Sequence, residues 1–92
     1  MSKSLVERRL IEVSTELKKL RHDLHVATEQ LEHFADEAED ARLRSLVSET
    51  PGAGREHREA EKHATAMSRH RDELQTKITT LERSQDELLD RL

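Results

Sequence analysis

Histidines and carboxylates are the side chains in this sequence that could hold a metal ion. The chain has six histidines, and imidazole or carboxylate ligands bind zinc from one helix face when they lie one turn apart. Only one histidine pair has that spacing, and two mixed pairs come close to it: His22 with His25, His33 with Glu37, and Glu59 with His63. Because these pairs form no set of four ligands, the sequence predicts no metal site and no cofactor.

The acidic run DEAED, residues 36–40, is the densest group of possible acid and base catalysts. On a helix its four carboxylates spread around most of the circumference, so they cannot converge on one reacting group. The GAG of residues 52–54 lacks the lysine and the preceding strand of a phosphate-binding loop. We therefore expect no catalytic residue and no enzymatic activity.

The composition is typical of long exposed helices. Charged residues make up 39% of the chain, hydrophobic residues 33%, and Phe34 is the one aromatic residue. With no cysteine the chain has neither disulfides nor a thiolate site. No apolar run approaches the roughly 20 residues of a membrane span. A net charge of -4 argues against direct nucleic-acid binding. We expect a cytoplasmic protein.

Apolar residues recur at alternating steps of three and four in both halves of the chain. With Leu10 as position a in the first half, and Arg71 and Gln85 as a positions in the second, each half has an a/d seam of the kind found in coiled coils. The first runs through Val6, Leu10, Val13, Leu17, Leu20, Leu24, Ala27, Leu31, Phe34, Ala38 and Ala41; the second runs through Ala60, Ala64, Met67, Arg71, Leu74, Ile78, Leu81, Gln85, Leu88 and Leu92.

Between the seams, SETPGAGREH at residues 48–57 contains the only proline and both glycines. Ser4 with Glu7 forms a possible capping box for helix one, and Thr50 followed by Pro51 suits the start of helix two. The sequence thus predicts an all-α fold, an antiparallel two-helix coiled-coil hairpin forming a single domain over residues 1–92. Helix one covers about 4–47, the turn about 48–50 with a possible extension to 54, and helix two about 51–92.

In an antiparallel helix pair, the residue numbers of seam partners add up to a constant, and that sum defines the register. Two sums, 98 and 105, satisfy the heptads of both helices. A sum of 98 joins Phe34 with Ala64 and turns the chain at residues 48–50. A sum of 105 joins Phe34 with Arg71, centres the turn on residues 51–54 and leaves Val6 overhanging. Charge pairs divide between them: Arg44 with Glu56 fits 98, and Arg21 with Glu82 fits 105. Apolar burial favours 98.

Apolar residues off the seam indicate surfaces for association, since a lone hairpin buries little surface. Leu43, Leu46 and Val47 lie near the turn, and Leu5, Ile11 and Leu89 lie near the open end. We expect two hairpins to associate, giving a homo-oligomer with a four-helix arrangement. Arg71 and Gln85, which interrupt the second seam, are predicted to fix register or oligomer state, or to face a partner helix.

The stretches SLVERRL, ARLRSLVSETP and REHREAEKH resemble a family of small, largely uncharacterised coiled-coil proteins of actinobacteria. The resemblance covers nearly the whole chain and implies an intracellular helical protein with no assigned enzymatic activity. Gly52 and Gly54 depart from the helix-favouring residues expected after SETP. The architecture is also similar to the coiled-coil fingers that enter the RNA polymerase secondary channel, which carry acids at the tip, where this chain has Glu49 and Glu56.

Together these features predict a non-enzymatic protein-protein interaction module or adaptor with an unidentified protein partner. Docking would use the hairpin tip and the outer helix faces. Apolar anchors would come from Leu43, Leu46 and Val47, with steering by charge from Arg42, Arg44 and Arg55. The alternative is a regulator of the transcription machinery that acts as a coiled-coil finger on a protein surface.

Overall fold

The chain folds into two long helices, as a computed structural model of residues 2–92 shows. Helix α1 spans Lys3–Ser48 and helix α2 spans Pro51–Leu89. Glu49 and Thr50 alone connect them, and no strand occurs in residues 2–92. The prediction of an all-α helical hairpin is confirmed.

Helix α1 is capped by a different serine from the one that the sequence predicted. The hydroxyl oxygen of Ser2 accepts a hydrogen bond from the Leu5 amide at 3.2 Å, and the Ser2 carbonyl accepts one from the Val6 amide at 3.0 Å. Those are the bonds of a helix N-cap. The predicted cap at Ser4 is wrong, because Ser2 already supplies the acceptor and Ser4 lies inside the helix.

Thr50 caps helix α2 as predicted. Its hydroxyl oxygen accepts a hydrogen bond from the Ala53 amide at 3.2 Å, with Pro51 at the first helical position. The residue before the cap, Glu49, has a φ of 51° in the left-handed region. The reversal of the chain therefore depends on Glu49, while both nearby glycines lie within the helix.

The last residues do not continue helix α2 to the predicted end at 92. The amides of Arg91 and Leu92 bond the carbonyls three residues earlier, at 3.1 and 3.2 Å, so the chain tightens into turns after Leu89. Leu92 is 56% exposed. A register sum of 98 places Leu92 opposite Val6, but the exposed Leu92 forms no buried layer there, although Val6 itself is buried.

The helices form two packing units. The first contains residues 2–25 with Glu73–Leu92. Its buried side chains are large aliphatic residues from the predicted seams: Val6, Val13, Leu17, Leu20, Leu74, Ile78 and Leu88. Each such burial contributes about 1.5–3 kcal/mol.

The second unit contains Val26–Asp72 and has a thinner core. Its buried residues are alanines: Ala27, Ala41 and Ala53. Leu31, Phe34 and Met67 on the seam are half-buried. Because a methyl group removes little apolar surface from water, less free energy holds the helices together here than in the first unit.

Contacts in each unit fit the register with a sum of 98. In the second unit the ring of Phe34 stacks on the ring of His63 with centroids 5.8 Å apart, and His63 adjoins Ala64. The alternative register would bring Phe34 to Arg71. In the first unit Val6 is 1% exposed, whereas a sum of 105 would leave it overhanging.

One charge pair forms outside its assigned register. The Nη2 atom of Arg21 lies 3.4 Å from Oε2 of Glu82, a pair that the sequence assigned to the sum of 105. The two side chains are long and about half exposed, so they reach across a turn without a change of register. Exposed pairs of this kind contribute only some tenths of a kcal/mol.

Candidate interaction surfaces

The apolar residues near the turn form one exposed surface. Leu43 is 49% exposed, Leu46 65% and Val47 86%. Their spacing of three and four residues places them side by side on α1. We call these three residues the tip patch. A contiguous apolar patch in water marks an interaction site more often than single exposed residues do.

The three arginines predicted to steer a partner differ in their surroundings. Arg42 donates two hydrogen bonds to the carboxylate of Glu39, at 2.6 and 3.0 Å. The Nε atom of Arg44 lies 3.9 Å from Oε2 of Glu56. Arg55 is exposed and lines a surface groove of the second unit. Two of the three cations are therefore already opposite an acid.

The bond between Arg42 and Glu39 changes the acidity of both groups. The hydrogen bond that Arg42 donates holds the pKa of the Glu39 carboxyl below its ordinary value, with nearby positive charge adding to the effect. The same bond raises the pKa of Arg42. Both groups are exposed, so water screens the pair and its effect on stability is small.

The two polar residues in the second seam are both half-buried. Arg71 directs its guanidinium outward, where Nη2 donates a hydrogen bond to Oδ1 of Asp72 at 2.8 Å. Its Nε atom is buried and has no hydrogen-bond partner. The aliphatic stem of Arg71 thus covers the seam while the charged end reaches solvent. Gln85 occupies its seam position with no change in the helix.

The histidines and acids considered as metal ligands form pairs. Of the predicted pairs, His33 and Glu37 lie 3.2 Å apart. His57 lies 2.9 Å from Glu61, a pair with one-turn spacing that the sequence analysis did not name. Over residues 2–92 no three side chains of the ligating types come together in a way that would hold a metal ion. Neither helix combines the length and apolar character of a membrane span over those residues.

The heptad letters reveal a feature of α1 that the sequence reading missed. Positions b, c and f, opposite the seam, define what we call the outer face of each helix. On α1 this face carries six large apolar residues that are 38–86% exposed: Leu5, Ile11, Val26, Leu43, Leu46 and Val47. On α2 the same positions from Arg55 onward carry charged residues, threonines and Ala66. Assigning every apolar residue a heptad letter would have shown this contrast.

No protein family, curated protein or solved structure matches the chain. The resemblance to actinobacterial coiled-coil proteins remains a prediction from the sequence.

Proposed function

We propose that the chain is a non-enzymatic interaction module of the cytoplasm that binds another protein through the tip patch and self-associates. The observation that carries this proposal is the exposure of Leu43, Leu46 and Val47 at the end of a helix whose seam is already satisfied by α2. Burying each such side chain on a partner contributes about 1.5–3 kcal/mol.

Charge around the tip patch gives orientation. Arg42 and Arg44 are opposite Glu39 and Glu56, so Arg55 supplies the steering charge for an acidic group on the partner. Rim charges of this kind act mainly on the association rate and on its salt dependence.

The proposal is tested with Leu43→Asp and Val47→Asp, singly and together. Both positions are exposed, so helicity by circular dichroism should not change, while capture of protein partners on immobilised chain and self-association by sedimentation should be lost. Ala66→Asp is the matched control, because Ala66 is exposed on the outer face of α2. If the tip variants associate as the unaltered chain does, the tip patch is not a docking surface.

A coiled-coil finger acting on the transcription machinery is the second candidate. Glu49 favours it, since this acid is exposed at the turn in a left-handed conformation, whereas Glu56 lies 3.9 Å from Arg44. Glu49→Gln should then alter transcription in a reconstituted reaction, and Glu87→Gln should not. Identical transcription with both variants would eliminate this candidate.

A further inference from the structure

The outer face of α1 changes in charge between the two packing units. In the first unit it carries three cations and one acid, namely Arg8, Lys18, Lys19 and Glu12, together with the exposed Leu5 and Ile11. Oε2 of Glu12 lies 3.2 Å from Nη1 of Arg9. We call this surface the basic stripe.

In the second unit the same face carries five acids and no cation. They are Glu29, Glu32, Asp36, Glu39 and Asp40, which we call the acidic stripe; Glu39 is already bonded to Arg42. Val26 lies at one end of this stripe and the tip patch follows its other end. Each unit therefore presents exposed apolar side chains beside charges of one predominant sign, and the signs are opposite.

We infer that the occupant of the tip patch is a second copy of this chain, whose basic stripe lies against the tip patch and acidic stripe of the first. The inference rests on the proposed function and names its partner. The contact repeats about a two-fold axis, so that each copy contributes both stripes and all four charged surfaces are matched. The two α1 helices run antiparallel, because a parallel pair would place like charges together.

Chemical complementarity distinguishes this arrangement from one that uses α2. The outer face of α2 has no large apolar side chain, but it offers the cations Arg55, Arg58, Lys62, Arg69 and Arg83. That face would therefore give the tip patch and Ile11 no large apolar side chain to pack against. The basic stripe brings Leu5 and Ile11, which are 49% and 68% exposed, to the same contact. Burial of apolar surface then adds to the pairing of charges.

Charge reversal on one stripe at a time tests the inference. One variant carries Lys18→Glu and Lys19→Glu, so that both of its stripes are acidic. The other variant carries Glu32→Lys and Asp36→Lys, so that both of its stripes contain cations. Each alone should self-associate at least about tenfold more weakly in low salt, since like charges then meet. An equimolar mixture should recover dimers, because each variant supplies what the other lacks.

Sedimentation velocity at matched concentration reads out the mass, and circular dichroism checks that each variant keeps its helices. Arg58→Glu with Lys62→Glu, exposed on α2, should leave the mass unchanged. A monomeric unaltered chain, unchanged self-association of both stripe variants, or a mixture that stays monomeric would each overturn the inference. Loss of partner capture by the tip variants, together with a mixture that stays monomeric, would retain the tip patch as a docking surface and reject only the second copy as its occupant.

Discussion

Substitutions in and next to the turn between the helices should increase the stability of the protein. Glu49 adopts the left-handed conformation at a φ of 51°, which costs a residue with a Cβ roughly 1–2 kcal/mol. Gly52 and Gly54, which would adopt that conformation freely, instead lie in α2 with negative φ. A glycine in a helix destabilises it by roughly 0.5–1 kcal/mol relative to alanine.

The structure also shows that both glycine sites have room for a side chain. A Cβ at residue 52 would meet nothing within 4 Å, and one at residue 54 would lie 3.5 Å from the flexible end of Arg58, an ordinary contact. Gly52→Ala and Gly54→Ala should each raise the free energy of unfolding by roughly 0.5–1 kcal/mol. Glu49→Gly should raise it by about 1 kcal/mol, because relief of strain exceeds the added freedom of the unfolded chain.

Urea and thermal unfolding followed by circular dichroism at fixed protein concentration measure these effects. The three changes together should add about 2–3 kcal/mol if they are independent, and each kcal/mol corresponds to roughly 4–8 °C in Tm for a chain of this size. Ala53→Gly, at a helical position that is 9% exposed, is the control of opposite sign. A fall in stability with Gly52→Ala would refute the helical first turn of α2.

Two further predictions concern charged side chains. Arg71→Leu should raise the free energy of unfolding by about 1–3 kcal/mol, since it removes a buried, unpartnered Nε and leaves an apolar stem on the seam. The exposed Arg69→Leu should change it by less than about 0.5 kcal/mol, and equal effects would contradict the seam position of residue 71. The pKa of Glu39 is lowered by its hydrogen bond to Arg42, so the small stability from this pair is present above the ordinary glutamate pKa and is lost as pH falls through the lowered one. An NMR titration should show that midpoint return to the ordinary value in Arg42→Gln, and an unchanged midpoint would exclude the bond.

Periodicity alone was sufficient to predict the helical hairpin. Apolar spacing of three and four over five heptads leaves one narrow stripe on each helix, and only a second helix can cover it along its length. The seam residues from Val6 to Ala41 are all buried or half-buried. Thr50 and Pro51 also identified the start of α2 correctly, because capping depends on local chemistry.

The sequence analysis did not predict which serine caps α1, which residue is left-handed in the turn, or which acid pairs with Arg42. Ser2 and Ser4 are both suitable caps, and the structure uses Ser2. Glycines near a proline indicated a loosened turn, yet the left-handed residue is Glu49. For the candidate surface, the sequence identified the apolar residues of the tip patch. The sequence analysis assigned Arg42 to steering a partner, although Glu39 lies three residues before it, a spacing at which opposite charges pair on a helix.

Pro51 also influences whether the seam of α1 packs against α2 of the same chain or α2 of a second copy. In a domain-swapped dimer, the turn would straighten and α1 would run on into α2 as one rod. Pro51 could not donate to the carbonyl of Val47 in that rod, and its ring would collide there, at a cost of about 3 kcal/mol. Straightening would recover only the roughly 1–2 kcal/mol of strain at Glu49. The proline thus disfavours exchange of helices between copies and favours a chain that closes on itself.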